Sequence, residues 1–337
     1  MFRTGAILFL VVLILALAFS NLYYFYPEKL KFTSKEETPK SVYGDEIYEP
    51  IFYKNSIGAG VDREIYVMPY VGDIDGDVSE DWYFFFNVLT TFHEEEKIPV
   101  AFSFYPTSIN TEPGYMNPFL RMYESYYIEL MQKEYIEEKL ESEIENLPSS
   151  LKIKMRQGIL ESEKKHFERI MKNEGYDDIK FPISYTQLGG RITEDDREAL
   201  ELTGINIYFD VYYDDKIGPI KSTEDFDVIQ YGVGFTRDGS AGALTTFRSA
   251  DEIIAQLSSF ERLDVEISSV NGKMIIPLWL HQQDFESTSE NGKVDLEKWQ
   301  VYTETLLRLK NDPNVKFITP SEMYNLRHGG KAGKLSL

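Results

Sequence analysis

The feature that most constrains this chain is an alternation. Apolar runs of strand length recur along it, and most are followed by a stretch with helical spacing. "REIYVMPYVGD", "IPVAFSFYP", "FPISYTQ", "INIYFDVYY", "DVIQYG" and "MIIPLWLH" read as strands. In "DWYFFFNVLTTFHEEEK", Phe85, Val88, Leu89 and Phe92 can share one helical face. "TEDDREALELTG" reads as a helix with Thr193 as N-cap and Gly204 past its end, and "SADEIIAQLSSFERLDVE" as a helix capped by Ser249. "LEKWQVYTETLLRLKND" is amphipathic, and "VKFITPSEMYNL" reads as a last strand and short helix. "SYYIEL" reads as a short strand, and the charged tract from Gln132 to Glu174 as helices broken near Pro148. Strand–helix–strand order implies parallel strands. Roughly seven or eight of them suit a distorted (β/α) barrel, whose chemistry gathers at the C-terminal ends of the strands. Asp73, Asp75, Tyr185 and His281 fall at such ends.

Charge and composition remove several functions. The formal net charge of -21 and the lack of a basic, aromatic-interleaved patch argue against nucleic acid as a partner. With no cysteine, disulfides, thiolate metal sites and a cysteine nucleophile are excluded. The 23 tyrosines and 22 phenylalanines fill a core, and amphipathic rings also suit a cleft that recognises sugars.

The N-terminal "MFRTGAILFLVVLILALAFSNLYYFYP" carries Arg3 ahead of an unbroken apolar run, Gly5 to Phe19. Continued through Tyr23, Tyr24, Phe25 and Tyr26, it reaches the ~20 residues a spanning helix needs. Residues 1–26 are therefore expected to be a membrane anchor with the rest of the chain outside. A cleaved signal peptide is the alternative, with Ala16-Leu17-Ala18 as its site. Residues 27–62 read as a charged stalk, 63–328 as the barrel domain and 329–337 as a tail.

"YVGDIDGDVSEDW" concentrates carboxylates behind the first strand. It is a poor calcium loop: Asp73, Asp75 and Asp77 match the first ligands, but Val78 holds the glycine position and Phe84 the final glutamate position. Two readings stay open. One is an acidic turn in which Asp77 or Ser79 caps the next helix. The other is a site pairing a general base with a metal ligand.

Asp73-Ile74-Asp75-Gly76, a helix and "IPVAFSF" resemble the opening motif of the polysaccharide deacetylase family. "GGRITEDDREALELTGINIY", "MIIPLWLHQQDFE" and "VKFITPSEMY" resemble later segments of the same family, over roughly Arg63 to Leu326. The resemblance implies a distorted (β/α) barrel and metal-dependent removal of acetyl groups from polysaccharides. It implies Asp73 as the base that takes a proton from metal-bound water and His281 as the acid that protonates the leaving group. It implies Asp75 as a metal ligand. It puts Tyr185 and Gln187 at the substrate-side loop, ordinary loop packing being the alternative; read from the residues themselves, Arg191 could bind an anionic sugar and Arg237, in a glycine-rich stretch, could reach the cleft.

The pattern breaks at the metal. The family's H-x-x-x-H pair is matched by "YIELMQKEYIEEKL", which puts Lys133 and Glu137 at the two histidine positions. A protonated lysine has no lone pair for a metal, and zinc's imidazole ligands are missing. A divalent metal could then be held only by carboxylates such as Asp75 and Glu137. Otherwise the Lys133 ammonium substitutes for it electrostatically. Three outcomes follow: a catalytically silent barrel that binds glycan or a partner, an altered hydrolase, or a barrel that shares only the fold and has an unrelated function. His281 carries a packing alternative, with Asp284 and Glu286 orienting it or solvating the loop. Arg191 could equally cap a carboxylate. "YGVGFTRDGSAGA" reads as a wide turn, and His93 and His166 as solvated helix residues.

Overall fold

The first strand, β1 (Ile65–Ile74), is the hub of the architecture. In this computed structural model the described residues are 65–74, 84–109, 111–134, 143–187, 192–210, 223–230, 232–236, 246–259, 269–270, 273–287 and 294–328, all within the unit Asn55–Leu337. The expected anchor (1–26), stalk and tail lie outside them.

Behind β1, a π-helical turn (Phe84–Leu89) runs into α1 (Thr90–Glu96). Then come β2 (Val100–Phe104), α2 (Pro113–Glu124), β3 (Ile128–Glu134), α3 (Ser149–Asn173) and β4 (Ser184–Gln187). They are followed by α4 (Glu194–Thr203), β5 (Ile207–Asp210), β6 (Asp227–Gln230), β7 (Val233–Gly234) and α5 (Ala250–Ser259). The chain continues through β8 (Ser269–Val270), β9 (Lys273–His281), α6 (Leu296–Lys310), β10 (Val315–Phe317) and α7 (Pro320–His328). The sheet runs β6-β5-β4-β3-β2-β1-β9-β7, every pair along it parallel; β10 adds in parallel to β1, and β8 pairs antiparallel to β9.

Two facts force this sheet to curl. Its terminal strands are neighbours in sequence: β6 ends at Gln230 and β7 begins at Val233. Three residue steps span at most about 11 Å, whereas a flat path of eight strands is about 34 Å wide. The rings of Tyr70 on β1 and Phe209 on β5 stack with centroids 5.9 Å apart. Four flat strand spacings would hold them about 19 Å apart. The face bearing these rings is therefore concave. It carries one contiguous cluster that includes Tyr66, Met68 and Tyr70 of β1, Met131 of β3, Ile207 and Phe209 of β5, and Trp279 of β9. The opposite face packs under the helices. Tyr185, Tyr208 and Val228 meet Leu160 of α3 and Leu200 of α4 there.

The prolines obey the hydrogen-bond ladder. In β1 the odd-numbered residues bond toward β10: Ile65 N–H donates to Asn314 O and Val67 O accepts from Ile318. β10 pairs with Ile65–Val67, and β2 takes over at Tyr70. Pro69, which has no N–H, stands at the gap between the two partners, where a missing donor costs least.

Helix α7 closes the N-terminal end of the barrel. Met323 and Tyr324 join the concave cluster. Ser321 N–H and Oγ donate to the Glu129 carboxylate at the start of β3, at 3.1 and 2.8 Å. At the other end of α7, Arg327 pairs with Asp227, the first residue of β6, and His328 Nε2 lies 3.2 Å from it.

Three expectations are corrected. β3 runs to Glu134, so the tract from Gln132 opens as strand and α3 begins only after Pro148. Charge had suggested helix, but Gln132 turns outward to Glu163 of α3 (2.5 Å), which satisfies a polar residue on a strand. "YGVGFTRDGSAGA" contains β7, paired with β9. His93 is not solvated: it is fully buried. Its Nδ1 lies 2.7 Å from Ile98 O, which can only accept, so Nδ1 carries the proton and Nε2 accepts from Tyr302 OH at 2.8 Å. His166 on α3 is partly exposed, with Nδ1 3.0 Å from Arg169.

Burial holds His93 down at about 4 and pushes Glu129 up to about 7. His93 gives stability that is complete above its ordinary value of 6.5 and is lost as pH falls toward 4. Glu129 acts oppositely: its neutral form is favoured in the fold, so stability falls as pH rises from 4.5 to about 7. The two trends offset each other in the native chain. Glu129→Gln is expected to unmask the His93 term, with unfolding free energy rising by about 2–3 kcal/mol between pH 4.5 and 6.5 in urea titrations.

Candidate functional site

The C-terminal mouth of the barrel is where the concave face turns polar. Alternation along the strands decides which side chains reach it. On β3, Met131 belongs to the concave cluster, so Lys133 two residues on points the same way. Lys133 pairs in register with Thr186 of β4, and continuing the β2–β3 register brings Tyr105 to its other side. Its Nζ lies 5.4 Å from the centre of the Tyr105 ring. Only 1% of the Lys133 surface is exposed, and this burial depresses its pKa to about 7.

Tyr70 supports this row from below. Its hydroxyl donates to Ser103 Oγ at 3.2 Å and also bonds Thr186, reaching across the lumen from β1 to β4. Burial pushes the phenol up to about 12, so it remains a neutral donor. Gly72 makes the reach possible: a Cβ there would stand 3.0 Å from the Tyr70 hydroxyl oxygen and 3.5 Å from His281 Cδ2. The same contacts bring His281 beside the Tyr70 hydroxyl.

His281 ends β9 and is buried against the edge of Trp279, with ring centroids 5.3 Å apart. The carboxylate of Asp284, fully buried in the turn that follows, accepts from the His281 backbone N–H at 2.7 Å. It lies 3.4 Å from Nδ1. Asp284 is thus buried in the turn rather than solvating the loop, and its hydrogen bond is to the His281 backbone rather than to the ring. On the neighbouring strand, β7 continues into Thr236, whose Oγ1 is buried with no hydrogen-bond partner among the described residues. Gly232 of the strand leading there could not carry a side chain: a Cβ would come within 2.6 Å of Trp279 Cδ1 and 3.0 Å of Pro277 O.

Lys133 and His281 thus both lie on the lumenal side at the C-terminal ends of their strands, and Asp73 is the penultimate residue of β1 at the same end. Tyr185 does not: it faces outward into the layer beneath α3 and α4. The period of a strand explains this, since its neighbour Thr186 takes the inward position. Gln187 ends β4 opposite Glu134. Asp75, Glu137, Arg191 and Arg237 lie outside the described residues. The sequence reading missed Tyr70, Ser103, Thr186 and Thr236. Counting by twos from the apolar core positions would have found the first three.

Asp75 and Glu137, the carboxylates considered as ligands, are not among the described residues. Among the described residues no group of three or more His, Asp or Glu side chains is placed to hold a metal. Of the four histidines, His93 is sealed in an aromatic cluster, His166 lies on α3 and His328 sits at the opposite end of the barrel, leaving His281 alone at the mouth. A lysine amine occupies the strand-end position that the family resemblance gives to a zinc histidine.

No protein-family model and no curated protein sequence matches this chain. Solved structures do match in fold. A Mycobacterium smegmatis protein provisionally assigned as a polysaccharide deacetylase aligns with TM-score 0.50 at 11% identity, over 82% of this chain and 95% of its own. The α-amylase AmyC of Thermotoga maritima aligns with TM-score 0.48 at 10% identity, over 78% of this chain and 74% of its own. A 4-α-glucanotransferase of Thermococcus litoralis gives 0.44 at 13%, over 77% of this chain and 40% of its own. The first match shows a distant likeness of fold to a deacetylase-type barrel: the same curled, parallel sheet.

Two substitutions probe the mouth. Tyr70→Phe removes the cross-lumen bonds and is expected to destabilise the fold by about 1–2 kcal/mol in chemical denaturation. Lys133→Met acts through pH. The folded chain disfavours the lysine's charge, so native stability rises as pH increases from about 7 toward 10.5. The variant should lose that rise and exceed the native chain's stability at pH 6.

Proposed function

We propose that this chain is a membrane-tethered, extracytoplasmic barrel of the polysaccharide deacetylase type that binds glycan at its C-terminal mouth without a zinc ion. Lys133 carries the reading: its amine, on the lumenal face at the end of β3, stands where the family resemblance calls for a metal histidine. The mouth around it suits a sugar. It offers neutral hydroxyls from Tyr70, Ser103 and Thr186, with the Tyr105 and Trp279 rings nearby. The fold likeness to a deacetylase-type structure supports the same direction. The apolar run in residues 1–26 supports the tether, and the lack of a basic surface argues against nucleic acid.

Hydrolysis is the second reading, and the His281–Asp284 pair favours it. A histidine whose Nδ1 lies 3.4 Å from a buried carboxylate at a barrel mouth is placed to donate or accept a proton. In this reading Asp73 is the companion base. The amine of Lys133, when protonated, provides the charge that stabilises an oxyanion.

An acetylated oligosaccharide such as N-acetylchitotetraose separates these readings. Binding measured by calorimetry should be unchanged by a chelator and weaken at least about tenfold in Lys133→Gln. Acetate release that persists in chelator and disappears in Asp73→Asn would establish the hydrolase. Zinc-stimulated release would overturn the metal-free site. Failure to bind any acetylated oligosaccharide would overturn the glycan reading.

A further inference from the structure

We infer that Lys133 is a covalent capture site for a small carbonyl compound, the open-chain aldehyde of a sugar being the ligand class that fits. The inference deepens the glycan reading, because it names the chemical group on the ligand that the amine engages.

Position carries the argument first. Lys133 projects from the end of a parallel strand into the lumen, flanked by Thr186 on one side and Tyr105 on the other. The Tyr70 hydroxyl lies under this row, bonded to Ser103 and Thr186. An amine so placed has hydroxyl groups next to it through which protons can pass. A second observation is independent of the lysine. Thr236 Oγ1 is buried at the end of β7 without a partner among the described residues. By continuation of the β7–β9 register, its residue stands beside His281. A buried hydroxyl with an unmet hydrogen bond is costly, and a polyhydroxylated ligand entering the mouth would satisfy it. Burial also lowers the Lys133 pKa to about 7, so a sizeable share of it is neutral and nucleophilic near neutral pH, where an exposed lysine is almost wholly protonated.

The step balances without a further reactant. The Nζ lone pair attacks the carbonyl carbon and a C–N bond forms. The carbonyl oxygen takes a proton from the amine through the neighbouring hydroxyls, giving a carbinolamine. A second proton transfer lets that oxygen leave as water, and the C=N bond of an imine remains. No oxidation occurs. The deep position of the amine limits the reaction to small or open-chain carbonyls.

The test is reductive trapping on the full chain. Protein is incubated at pH 7 with D-glyceraldehyde and cyanoborohydride, and each lysine is followed by peptide mass spectrometry. Lys154, Lys165 and Lys172, exposed on α3, serve as internal references. Lys133 should be modified at least about tenfold faster than these, from its larger neutral fraction. Its rate should level off above about pH 8 while theirs continue to climb. Lys133→Arg, with its fold checked by circular dichroism, should lose the adduct and leave the reference rates unchanged. Modification of Lys133 no faster than the references, or none, overturns the inference. Trapping without oligosaccharide binding would overturn the glycan reading and leave this one standing. Binding without trapping would do the reverse.

Discussion

Everything in this molecule depends on a two-residue connection. β6 and β7 lie at opposite ends of the strand order yet almost touch in sequence. The connection is too short for an open sheet, so the sheet must curl, and curling gives it an inside and an outside. The inside must then be filled without leaving backbone groups unsatisfied or cavities open. It is filled in layers. α7 seals the N-terminal end through Met323 and Tyr324, stapled by Glu129 and Asp227. Tyr70, Phe209 and Trp279 fill the middle. At the C-terminal end the described lumenal side chains turn polar, with Ser103, Lys133, Thr186 and His281 buried there, which is why function is sought there.

Those layers are coupled through Tyr70. Its ring belongs to the apolar filling and its hydroxyl to the polar mouth. A phenylalanine would fill the same space but leave Ser103 and Thr186 to find other partners. Gly72 is small for the same reason, since the Tyr70 hydroxyl occupies the volume its side chain would take. The floor of the candidate site is therefore a structural element, and substitutions there will move stability and site geometry together.

The sequence made the architecture legible because its strands are buried on both faces and its helices are not. A continuous apolar run such as "MIIPLWLH" contrasts sharply with an amphipathic one such as "LEKWQVYTETLLRLKND". The capping signals were local chemistry and held: Thr193 with Asp196 opens α4, and Gly204 closes it at φ +85. α2 was not read from the sequence, since "PGYMNPFLRMYE" carries two prolines and a glycine, residues that weaken a helical pattern. Its first proline sits at the helix start, where no N–H is needed. His93 was misread because its neighbours are charged. Its burial depends on Tyr302, 209 positions away, and no local pattern carries that information. For the site, strand ends were legible but side-chain direction was not counted through. Tyr185 was chosen over Thr186 for its chemistry, when alternation placed Thr186 inside.

In the proposed reading, Lys133 in place of a metal histidine has a physical logic beyond the loss of a ligand. A zinc site concentrates positive charge in the lumen and polarises whatever binds there. A lysine in the same place does this only while protonated, and burial in the mouth works against its charge. The lumen thus exchanges a fixed charge for one that depends on pH and on occupancy. A ligand bringing negative charge would draw the proton back and strengthen the electrostatic role. A neutral carbonyl would meet the uncharged amine instead. Which of the two a ligand meets is decided by the ligand's own charge, so the same buried side chain can serve recognition or covalent chemistry without any rearrangement of the barrel.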